Sequence, residues 1–276
     1  MAVSFVIPVS AISDEEVAAP SAILMEPNTG KILYEKNANE LRPCASITKV
    51  MTLLLVMEAI DSGKISLDDQ VTASAHAASM GGSDIWLKEG ETMSVNDLIK
   101  ATVIMSANDA AVVLAEHVYG TEDEFVKQMN IRAKQLGMND TTFKNCNGLD
   151  EDGHLTTAHD VALMSAELIK HEKIFDYTLT WMDYVRDGET QLVNTNKLIR
   201  SYKGITGLKT GTTSQAGSCI SATAKRDNLS LVAVVLGCST TDERFTSAST
   251  LLDYGFANFS FASLQMPELG TVPVTN

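Results

Sequence analysis

A buried helix is predicted by the stretch SITKVMTLLLVMEAI, residues 46–60. After Ser46, its apolar run is interrupted by four residues only: Thr48, Lys49, Thr52 and Glu58. A helix that is apolar on nearly every side has no face suited to water, so it must lie inside the protein. Gly63 can supply the left-handed residue that ends it. The rest of the fold is therefore expected to surround this helix.

Strands are predicted on both sides of the buried helix. The sequence Pro-Asn-Thr-Gly at 27–30 is a turn signal between two apolar runs, residues 21–25 and 31–35, and predicts a β-hairpin. Residues 217–225 and 229–237 predict two long antiparallel strands. Capping residues and apolar spacing predict helices over residues 94–105, 108–120, 121–137, 157–170 and 241–254. This order favours an α+β fold, with helices on the faces of an antiparallel sheet.

The composition is that of a soluble globular protein. The 276 residues are 45% hydrophobic and 20% charged, which suffices for a full core. The formal net charge of −14 argues against a nucleic-acid partner, because phosphate binding needs a basic surface. No stretch reaches the roughly 18 apolar residues that a transmembrane helix needs. The oligomeric state is left open.

Residues 1–18 are interpreted as a signal-peptide remnant or an N-terminal tail. Their apolar run ends in a small-x-small pattern, with cutting expected near Ala11, although no basic residue precedes it. This favours export to the cell envelope. Residues 19–258 are expected to form the main domain. Residues 259–276 are interpreted as the start of a truncated or absent C-terminal domain.

The cysteines allow two interpretations. The four are Cys44, Cys146, Cys219 and Cys238, and none has the spacing of a metal site. Cys219 and Cys238 fall on two strands that are expected to pair, so a disulfide between them is conceivable. Buried free thiols are favoured, because a domain of this size needs no covalent cross-link.

Ser46 and Lys49 can form a nucleophile and its base. Residues three apart on a helix share a face, and Pro43 indicates that the helix opens near Ser46. An amine can take the serine proton only when neutral, so its pKa must fall from about 10.4 towards neutrality. Burial and a second cation, for which Lys209 is the candidate, are the two effects that lower it. The alternative is a Ser46 that only caps the helix and a Lys49 that reaches solvent.

Two more short motifs follow in order along the chain. Ser106-Ala107-Asn108 lies at a break between predicted helices, where a hydroxyl and an amide can relay a proton and hold a carbonyl. Lys209-Thr210-Gly211 precedes a long strand, and its glycine lets a substrate lie along the strand edge. Each motif alone is explained equally well by a helix cap or a strand end. Together with Ser46 and Lys49 they describe a serine nucleophile activated by a lysine.

From about residue 19 to residue 259 the chain resembles the serine-type D-alanyl-D-alanine carboxypeptidases, the low-molecular-weight penicillin-binding proteins of peptidase family S11. The matching segments are RPCASITKVMT (42–52), MSANDA (105–110), TTAHD (156–160), NTN (194–196) and GLKTG (207–211). The resemblance implies a β-lactamase/transpeptidase-like fold, in which helices and an all-helical subdomain flank a five-stranded antiparallel sheet. It also implies a substrate class, peptidoglycan stem peptides ending in D-Ala-D-Ala. β-Lactams would be covalent inhibitors, and no cofactor or metal is implied.

The resemblance also assigns roles to individual residues. Ser46 becomes the acylated nucleophile, Lys49 its general base and Ser106 a member of the proton relay. The substrate-binding residues become Asn108, Lys209, Thr210, Gly211, Thr212 and Arg244. Among them, Asn108 contacts the substrate amide, while Lys209, Thr210 and Arg244 bind its terminal carboxylate. The backbone N–H groups of Ser46 and Thr212 match the oxyanion hole of the family.

Two departures from the family pattern bear on specificity. Thr212 stands where many members carry a histidine, and Thr195 lies in a segment where some members carry an arginine. Both changes leave the three motifs intact. The resemblance therefore does not fix the preferred peptide or the rate at which the acyl-enzyme is hydrolysed.

Other function classes fit the sequence less well. A serine β-lactamase is the nearest rival, but the Glu-x-x-x-Asn pattern of one such group does not occur between the second and third motifs. A non-catalytic penicillin sensor is a further alternative, but such domains usually attach to a transmembrane segment, and none is visible in this sequence. Retention of all three motifs argues against a degenerate protein that only binds the cell wall. The chain has neither the HExxH pattern of a metalloprotease nor the Gly-x-Ser-x-Gly elbow of a Ser-His-Asp hydrolase.

Overall fold

The structure is a computed structural model that describes residues 12–260. Its strands are β1 (Ser21–Glu26), β2 (Lys31–Lys36), β3 (Gln70–Thr72), β4 (Thr92–Ser94), β5 (Met182–Val185), β6 (Thr190–Val193), β7 (Ile205–Thr213), β8 (Gly217–Arg226) and β9 (Leu229–Cys238). Its helices are α1 (Lys49–Asp61), α2 (Ala75–Ala78), α3 (Val95–Lys100), α4 (Asn108–Tyr119), α5 (Glu122–Gln135), α6 (Ala158–Leu168), α7 (Phe175–Thr178), α8 (Leu198–Ser201) and α9 (Thr241–Asn258). The cleavage site expected near Ala11 and residues 261–276 lie outside the described part.

Five antiparallel strands form the central sheet in the order β2-β1-β9-β8-β7. The predicted hairpin is confirmed as β1 and β2, and the two predicted long strands are confirmed as β8 and β9. β3 pairs with β4 and β5 pairs with β6 in two small separate sheets. β7 lies at the edge of the central sheet, so one side of its backbone is free of strand pairing in the described structure.

Side chains alternate across the central sheet, so each face has its own core. On one face, Ile23 and Val234 belong to a cluster that includes the apolar residues of α1, α4 and α6. On the other face, Leu24 and Leu231 pack with residues of α9. Gly255 of α9 admits this close packing, because a Cβ there would lie 2.5 Å from Leu231 Cδ1. The predicted α+β architecture, with helices on both faces of an antiparallel sheet, is confirmed.

The buried helix predicted at residues 46–60 is present but begins differently. A 3-10 turn over Ala45–Thr48 carries Ser46, and α1 starts only at Lys49. Every residue of α1 is buried except Glu58, Ile60 and Asp61. α1 packs against α6 and against α4, and it ends near Gly63, which has φ +71°. Apolarity on all sides therefore did predict an internal helix.

Several elements differ from the sequence prediction. The helix expected over 94–105 stops as an α-helix at Lys100 and widens into a π-helical turn over Ala101–Met105. The cause lies at the next residue, because Ser106 takes the left-handed conformation with φ +67° and ends the helix. β7 and the β5–β6 hairpin were not predicted. β7 carries Gly207, Gly211 and a buried lysine, which break the apolar alternation of an ordinary strand.

All four cysteines are free and buried, so the favoured interpretation holds and the conceivable Cys219–Cys238 disulfide is not formed. Part of the predicted N-terminal tail packs against the sheet. Val17 is fully buried, and Tyr34 Oη of β2 donates a hydrogen bond to Asp14 Oδ1 at 2.9 Å. Within residues 12–260, no helix has both the length and the apolar character needed to cross a membrane. The division of the chain at residues 18 and 258 stays a prediction.

Candidate active site

Ser46 and Lys49 meet where the 3-10 turn joins α1. Lys49 Nζ donates hydrogen bonds to Ser46 Oγ at 3.1 Å, Asn108 Oδ1 at 2.5 Å and the carbonyl oxygen of Asn147 at 2.7 Å. These three acceptors match the three protons of an ammonium group. When Lys49 loses one proton, its lone pair can accept the hydroxyl proton of Ser46. The first and second motifs are therefore in direct contact.

Burial gives Lys49 the acid–base behaviour that a general base needs. Its side chain is fully buried, and this burial lowers its pKa from 10.5 to about 7. The charges of Cys146, Asp84 and Asp109 act in the opposite direction. At neutral pH a substantial fraction of Lys49 is thus neutral. The alternative in which Lys49 reaches solvent is wrong for this structure.

One side of the cleft, here called the helical wall, consists of residues 81–87 and 106–109. The backbone N–H of Asn108 donates to the carbonyl of Ser83 at 2.6 Å, and Asn108 Nδ2 donates to the carbonyl of Gly81 at 2.7 Å. Ser106 is buried in its left-handed conformation at the end of the π-helical turn. The helical wall therefore places Asn108 against Lys49, with Ser106 two residues earlier in the same segment.

The other side, here called the sheet wall, consists of residues 209–212 of β7 together with Arg244 of α9. Arg244 Nη1 donates to the carbonyl of Gly211 at 3.1 Å and to Thr212 Oγ1 at 2.8 Å. Thr210 Oγ1 donates to Thr195 Oγ1 at 2.7 Å. The five residues predicted to bind substrate from this side therefore lie together: Lys209, Thr210, Gly211, Thr212 and Arg244.

Lys209 is buried, and its Nζ donates to the carbonyl of Thr210 at 2.9 Å. Burial lowers the pKa of Lys209 well below 10.5, and the charges of Lys49 and Arg244 lower it further. Of the two effects expected to activate Lys49, burial acts on Lys49 itself. The repulsion between the two lysines lowers the pKa of Lys209.

Two glycines, Gly148 and Gly211 of the sheet wall, hold the backbone next to Ser46. A Cβ on Gly211 would lie 2.8 Å from the carbonyl oxygen of Cys44 and 2.9 Å from Ser46 N. A Cβ on Gly148 would lie 2.0 Å from the carbonyl oxygen of Ala45. Gly148 also has φ +84°, which L side chains rarely adopt. Both contacts require glycine, and together they fix the peptide whose N–H is expected to serve the oxyanion hole.

Sequence reasoning missed several residues of the site. Asn147 contributes its carbonyl to Lys49, and Gly148 follows it in the Asn-Gly pair that is a general turn signal. Asp109 is almost fully buried and accepts hydrogen bonds from the backbone N–H groups of Ile85, Leu87 and Ala110. An acidic residue after Asn108 gave no signal for this role. Thr195 was noted only as a departure from the family pattern.

His154 is a further residue that the motifs did not indicate. Its Nε2 lies 2.8 Å from Thr48 Oγ1, and its Nδ1 accepts from the N–H of Lys144 at 3.2 Å. Because Nδ1 accepts, Nε2 carries the proton and donates to Thr48. Burial lowers the pKa of His154 to about 4, so it is neutral at neutral pH. This bond ties the turn that carries Ser46 to the segment that contains Gly148.

The sequence matches the family model described as D-alanyl-D-alanine carboxypeptidase (Peptidase_S11) over residues 8–240. D-alanyl-D-alanine carboxypeptidase DacF of Bacillus subtilis is 50% identical over 244 residues, 87% of this chain. The match spans 63% of the length of that relative. D-alanyl-D-alanine carboxypeptidase DacC of Escherichia coli is 37% identical over 273 residues, which are 95% of this chain and 68% of that protein.

Solved structures give the same family. Penicillin-binding protein 5 of Haemophilus influenzae superposes with a TM-score of 0.84 at 32% identity, covering 90% of this chain and 73% of that one. Penicillin-binding protein D2 of Listeria monocytogenes, solved in an ampicillin-bound form, superposes with a TM-score of 0.80 at 36% identity, covering 87% and 98%. The predicted transpeptidase-like fold is confirmed by these likenesses. With the three motifs assembled around Ser46 and the family model matching most of its length, this chain belongs to the D-alanyl-D-alanine carboxypeptidase family, peptidase S11.

Proposed function

We propose that this protein is a serine D-Ala-D-Ala carboxypeptidase that removes the terminal D-alanine from peptidoglycan stem peptides through an acyl-enzyme on Ser46. One observation carries the proposal: the buried amine of Lys49, with its pKa lowered to about 7, lies 3.1 Å from Ser46 Oγ. A serine needs a base to become a nucleophile, and a base titrating near the working pH serves best. Family membership supports the same chemistry.

In the first step, neutral Lys49 takes the proton of Ser46 Oγ while that oxygen bonds to the carbonyl carbon between the two D-alanines. The backbone N–H groups of Ser46 and Thr212 stabilise the oxyanion, and each such donor is worth about 3 kcal/mol in related sites. The C–N bond then breaks. The proton held by Lys49 passes through Ser106 to the leaving nitrogen of D-alanine.

In the second step, water attacks the ester carbon and gives a proton to Lys49. The bond to Ser46 Oγ breaks, and the proton returns to that oxygen, which releases the shortened peptide. Lys209, Thr210 and Arg244 bind the terminal carboxylate of the incoming substrate, and Asn108 contacts its amide. These roles use a hydroxyl, cations and amides only, and the proposed chemistry calls for no cofactor or metal.

β-Lactams are proposed to acylate Ser46 in place of the peptide. The ampicillin-bound relative from Listeria supports this, as do the penicillin-binding proteins among the structural neighbours. Because the substrate is part of the cell wall, the protein is proposed to act outside the cytoplasm. The N-terminal pattern ending near Ala11 supports that location.

The test is the intact mass of the protein during incubation with benzylpenicillin. We expect one persistent penicillin adduct on the wild type and none on Ser46→Ala. In a separate assay without penicillin, the wild type should release D-alanine from a tripeptide ending in D-Ala-D-Ala. Ser79→Ala, which removes an exposed hydroxyl on the turn after α2, serves as the matched control and should be acylated like the wild type. An adduct that vanishes while penicillin is consumed would instead indicate a β-lactamase. No adduct on the wild type would refute the mechanism.

A further inference from the structure

Trp86 is the most exposed large apolar residue of the described structure, with 73% of its surface accessible. Its two neighbours behave in the opposite way, because Ile85 is 1% and Leu87 is 4% exposed. Trp86 also has φ +55°, a left-handed conformation that a bulky residue rarely adopts. Exposing an indole ring and straining its backbone both cost free energy, and neither helps the protein to fold.

The backbone around Trp86 is held rigidly from both sides. The N–H of Ile85 donates to both carboxylate oxygens of Asp109 at 3.2 Å, and the N–H of Leu87 donates to Asp109 Oδ2 at 2.9 Å. From outside, Arg186 Nη1 donates to the carbonyl of Ile85 at 2.9 Å, and Arg186 is itself paired with Glu91. The residues on either side of Trp86 are thus both bound inward, so the chain arches and turns the indole outward.

This arch belongs to the helical wall of the cleft. Asn108 binds Ser83 and Gly81 of the same segment, and Asn108 Oδ1 accepts from Lys49. Asp84 Oδ1 accepts a hydrogen bond from the backbone N–H of Asp109 at 3.4 Å, so Asp84 lies beside the residue that follows Asn108. Trp86 follows Asp84 by two residues, which span at most about 7 Å. The exposed indole therefore lies on the segment that Asn108 ties to Lys49, and this exposed part of the helical wall is here called the rim of the cleft.

We propose that Trp86 stacks on a sugar ring of the peptidoglycan glycan strand and so favours stem peptides that are still attached to the polymer. This inference rests on the proposed function, because a stem peptide with its D-Ala-D-Ala end at Ser46 must connect to its sugar beyond the rim of the cleft.

The chemistry of the rim fits an uncharged ring. An aromatic face presents a flat apolar surface to the C–H groups of a pyranose, as it does to other apolar partners. The exposed charges that follow Trp86 in sequence, Lys88 and Glu89, cancel, and Arg186 is neutralised by Glu91. An anionic partner would need unpaired cations here. A rigid, pre-formed aromatic ring also loses little conformational entropy when it binds.

The inference is tested with three substrates that end in D-Ala-D-Ala: an N-acylated tripeptide, the free stem pentapeptide and the disaccharide-pentapeptide. For Trp86→Ala we expect kcat/KM to fall roughly tenfold on the disaccharide-pentapeptide, with the two sugar-free substrates changed by less than about twofold. Trp86→Tyr keeps an aromatic face and should recover most of the loss. Ile131→Ala, which shortens an exposed apolar side chain of α5, should match the wild type on every substrate.

Each result bears on the inference. Equal loss on the free pentapeptide and on the disaccharide-pentapeptide would mean that Trp86 contacts peptide, and would overturn the sugar assignment. No loss on any substrate would overturn it as well. The rate of acylation by benzylpenicillin, measured on each variant, shows that the site has folded. If the wild type released no D-alanine from any of the three substrates, the proposed function itself would fail, which is a separate outcome.

Discussion

The two walls of the cleft lie on either side of Ser46 and Lys49 but are built in different ways. The sheet wall takes its shape from backbone pairing, because each of residues 209–212 on β7 faces a partner on β8. The helical wall has no such ladder. There, Asp109 collects the N–H groups of the 81–87 segment, and Asn108 binds that segment through both its backbone and its side chain. Many backbone hydrogen bonds thus position the residues of the sheet wall, whereas a few side chains position those of the helical wall.

The walls also divide the chemistry. The helical wall touches Lys49 through Asn108 Oδ1, so it acts on the group that moves the proton. The sheet wall holds Lys209 and Arg244, whose cationic groups suit a carboxylate. Substitutions of Asn108, or of Asp109 that organises the segment bound to it, should therefore change the rate of proton transfer. Substitutions of the sheet-wall cations should mainly change the substrate concentration that gives half of the limiting rate.

The largest effect is expected for the two lysines, which test this division directly. Lys49→Met removes the base and should lower the limiting rate of acylation by benzylpenicillin by about 1,000-fold or more. Lys209→Met should mainly raise the penicillin concentration that gives half of the limiting rate. Stopped-flow acylation over a range of penicillin concentrations separates the two. Equal losses of limiting rate in both variants would break the comparison.

The pH dependence sharpens the same comparison. The pKa of Lys49 is lowered to about 7, and only its neutral form accepts the proton of Ser46. The acylation rate of the wild type should therefore rise with pH and reach half of its plateau near pH 7. Lys209→Met should keep that midpoint within about one pH unit if burial alone sets the pKa of Lys49. A midpoint above pH 9 in the wild type would contradict the assignment of Lys49 as the base.

The next largest effect concerns the two glycines beside Ser46. Gly148→Ala combines a contact of 2.0 Å with a left-handed backbone and should lower the free energy of unfolding by about 3 kcal/mol or more. The methyl group added in Gly211→Ala would meet the same turn, but from a residue with ordinary strand geometry and with a nearest contact of 2.8 Å. This variant should lower the free energy of unfolding by about 1–2 kcal/mol. Denaturant unfolding of the three proteins gives these values, and both variants should acylate slowly.

Gly137→Ala supplies the matched control for Gly148→Ala. Gly137 has φ +81°, close to the +84° of Gly148, but a Cβ there would meet nothing within 4 Å. The loss of unfolding free energy in Gly137→Ala relative to the wild type therefore reports the backbone strain alone, about 1 kcal/mol. If Gly148→Ala were no worse than Gly137→Ala, the close contact with Ala45 would have no energetic weight.

The sequence predicted the sheet and the internal helix better than it predicted the helical wall. Alternating apolar residues gave β8 and β9, capping residues gave the starts of α3, α5 and α6, and uniform apolarity gave α1. These features depend on local periodicity. β7 escaped detection because its buried Lys209 and its glycines serve the site and not the core.

The motifs placed Ser46, Lys49 and Asn108 together correctly, because each belongs to a short pattern with known chemistry. The residues that hold them were not predictable in the same way. The carbonyl of Asn147 and the carboxylate of Asp109 act through contacts between residues far apart in sequence. Nothing in the neighbouring sequence shows which backbone groups they will meet. Lys49 is hydrogen-bonded to the carbonyl of Asn147, which lies 98 positions later in the chain, and no local sequence pattern encodes such a contact.

A smaller effect is expected for the carboxylate that organises the helical wall. Asp109→Asn keeps one acceptor oxygen but turns an N–H₂ group towards buried N–H donors, so it should lower the free energy of unfolding by about 2 kcal/mol. It should also slow acylation, because the arch at 81–87 carries the contacts to Asn108. Asp160→Asn is the matched control: Asp160 is equally buried and accepts from Asp140 N at 3.1 Å and Thr141 Oγ1 at 2.7 Å, outside both walls.

Comparison of these two variants decides what Asp109 does. Both should unfold at lower urea concentration than the wild type, since each loses a buried acceptor. Only Asp109→Asn should acylate more slowly when measured well below its unfolding midpoint. Equal acylation rates in the two variants would show that the helical wall keeps its shape without that carboxylate, and that the contrast with the sheet wall is smaller than the hydrogen bonds indicate.

The smallest effect is expected in the sheet wall, where a single side-chain bond should matter least. Thr195→Val removes the partner of Thr210 Oγ1 and should cost about 1 kcal/mol of unfolding free energy or less. Thr206 lies on β7, like Thr210, and its Oγ1 donates a hydrogen bond to Thr223 Oγ1 at 2.8 Å. Thr206→Val removes this bond and should lower the free energy of unfolding by a similar amount. Because the ladder with β8 fixes β7, neither variant should alter the limiting acylation rate by more than about threefold. A large loss in Thr195→Val alone would mean that the sheet wall also depends on one side chain, and the difference between the walls would then lie in their charge and not in their construction.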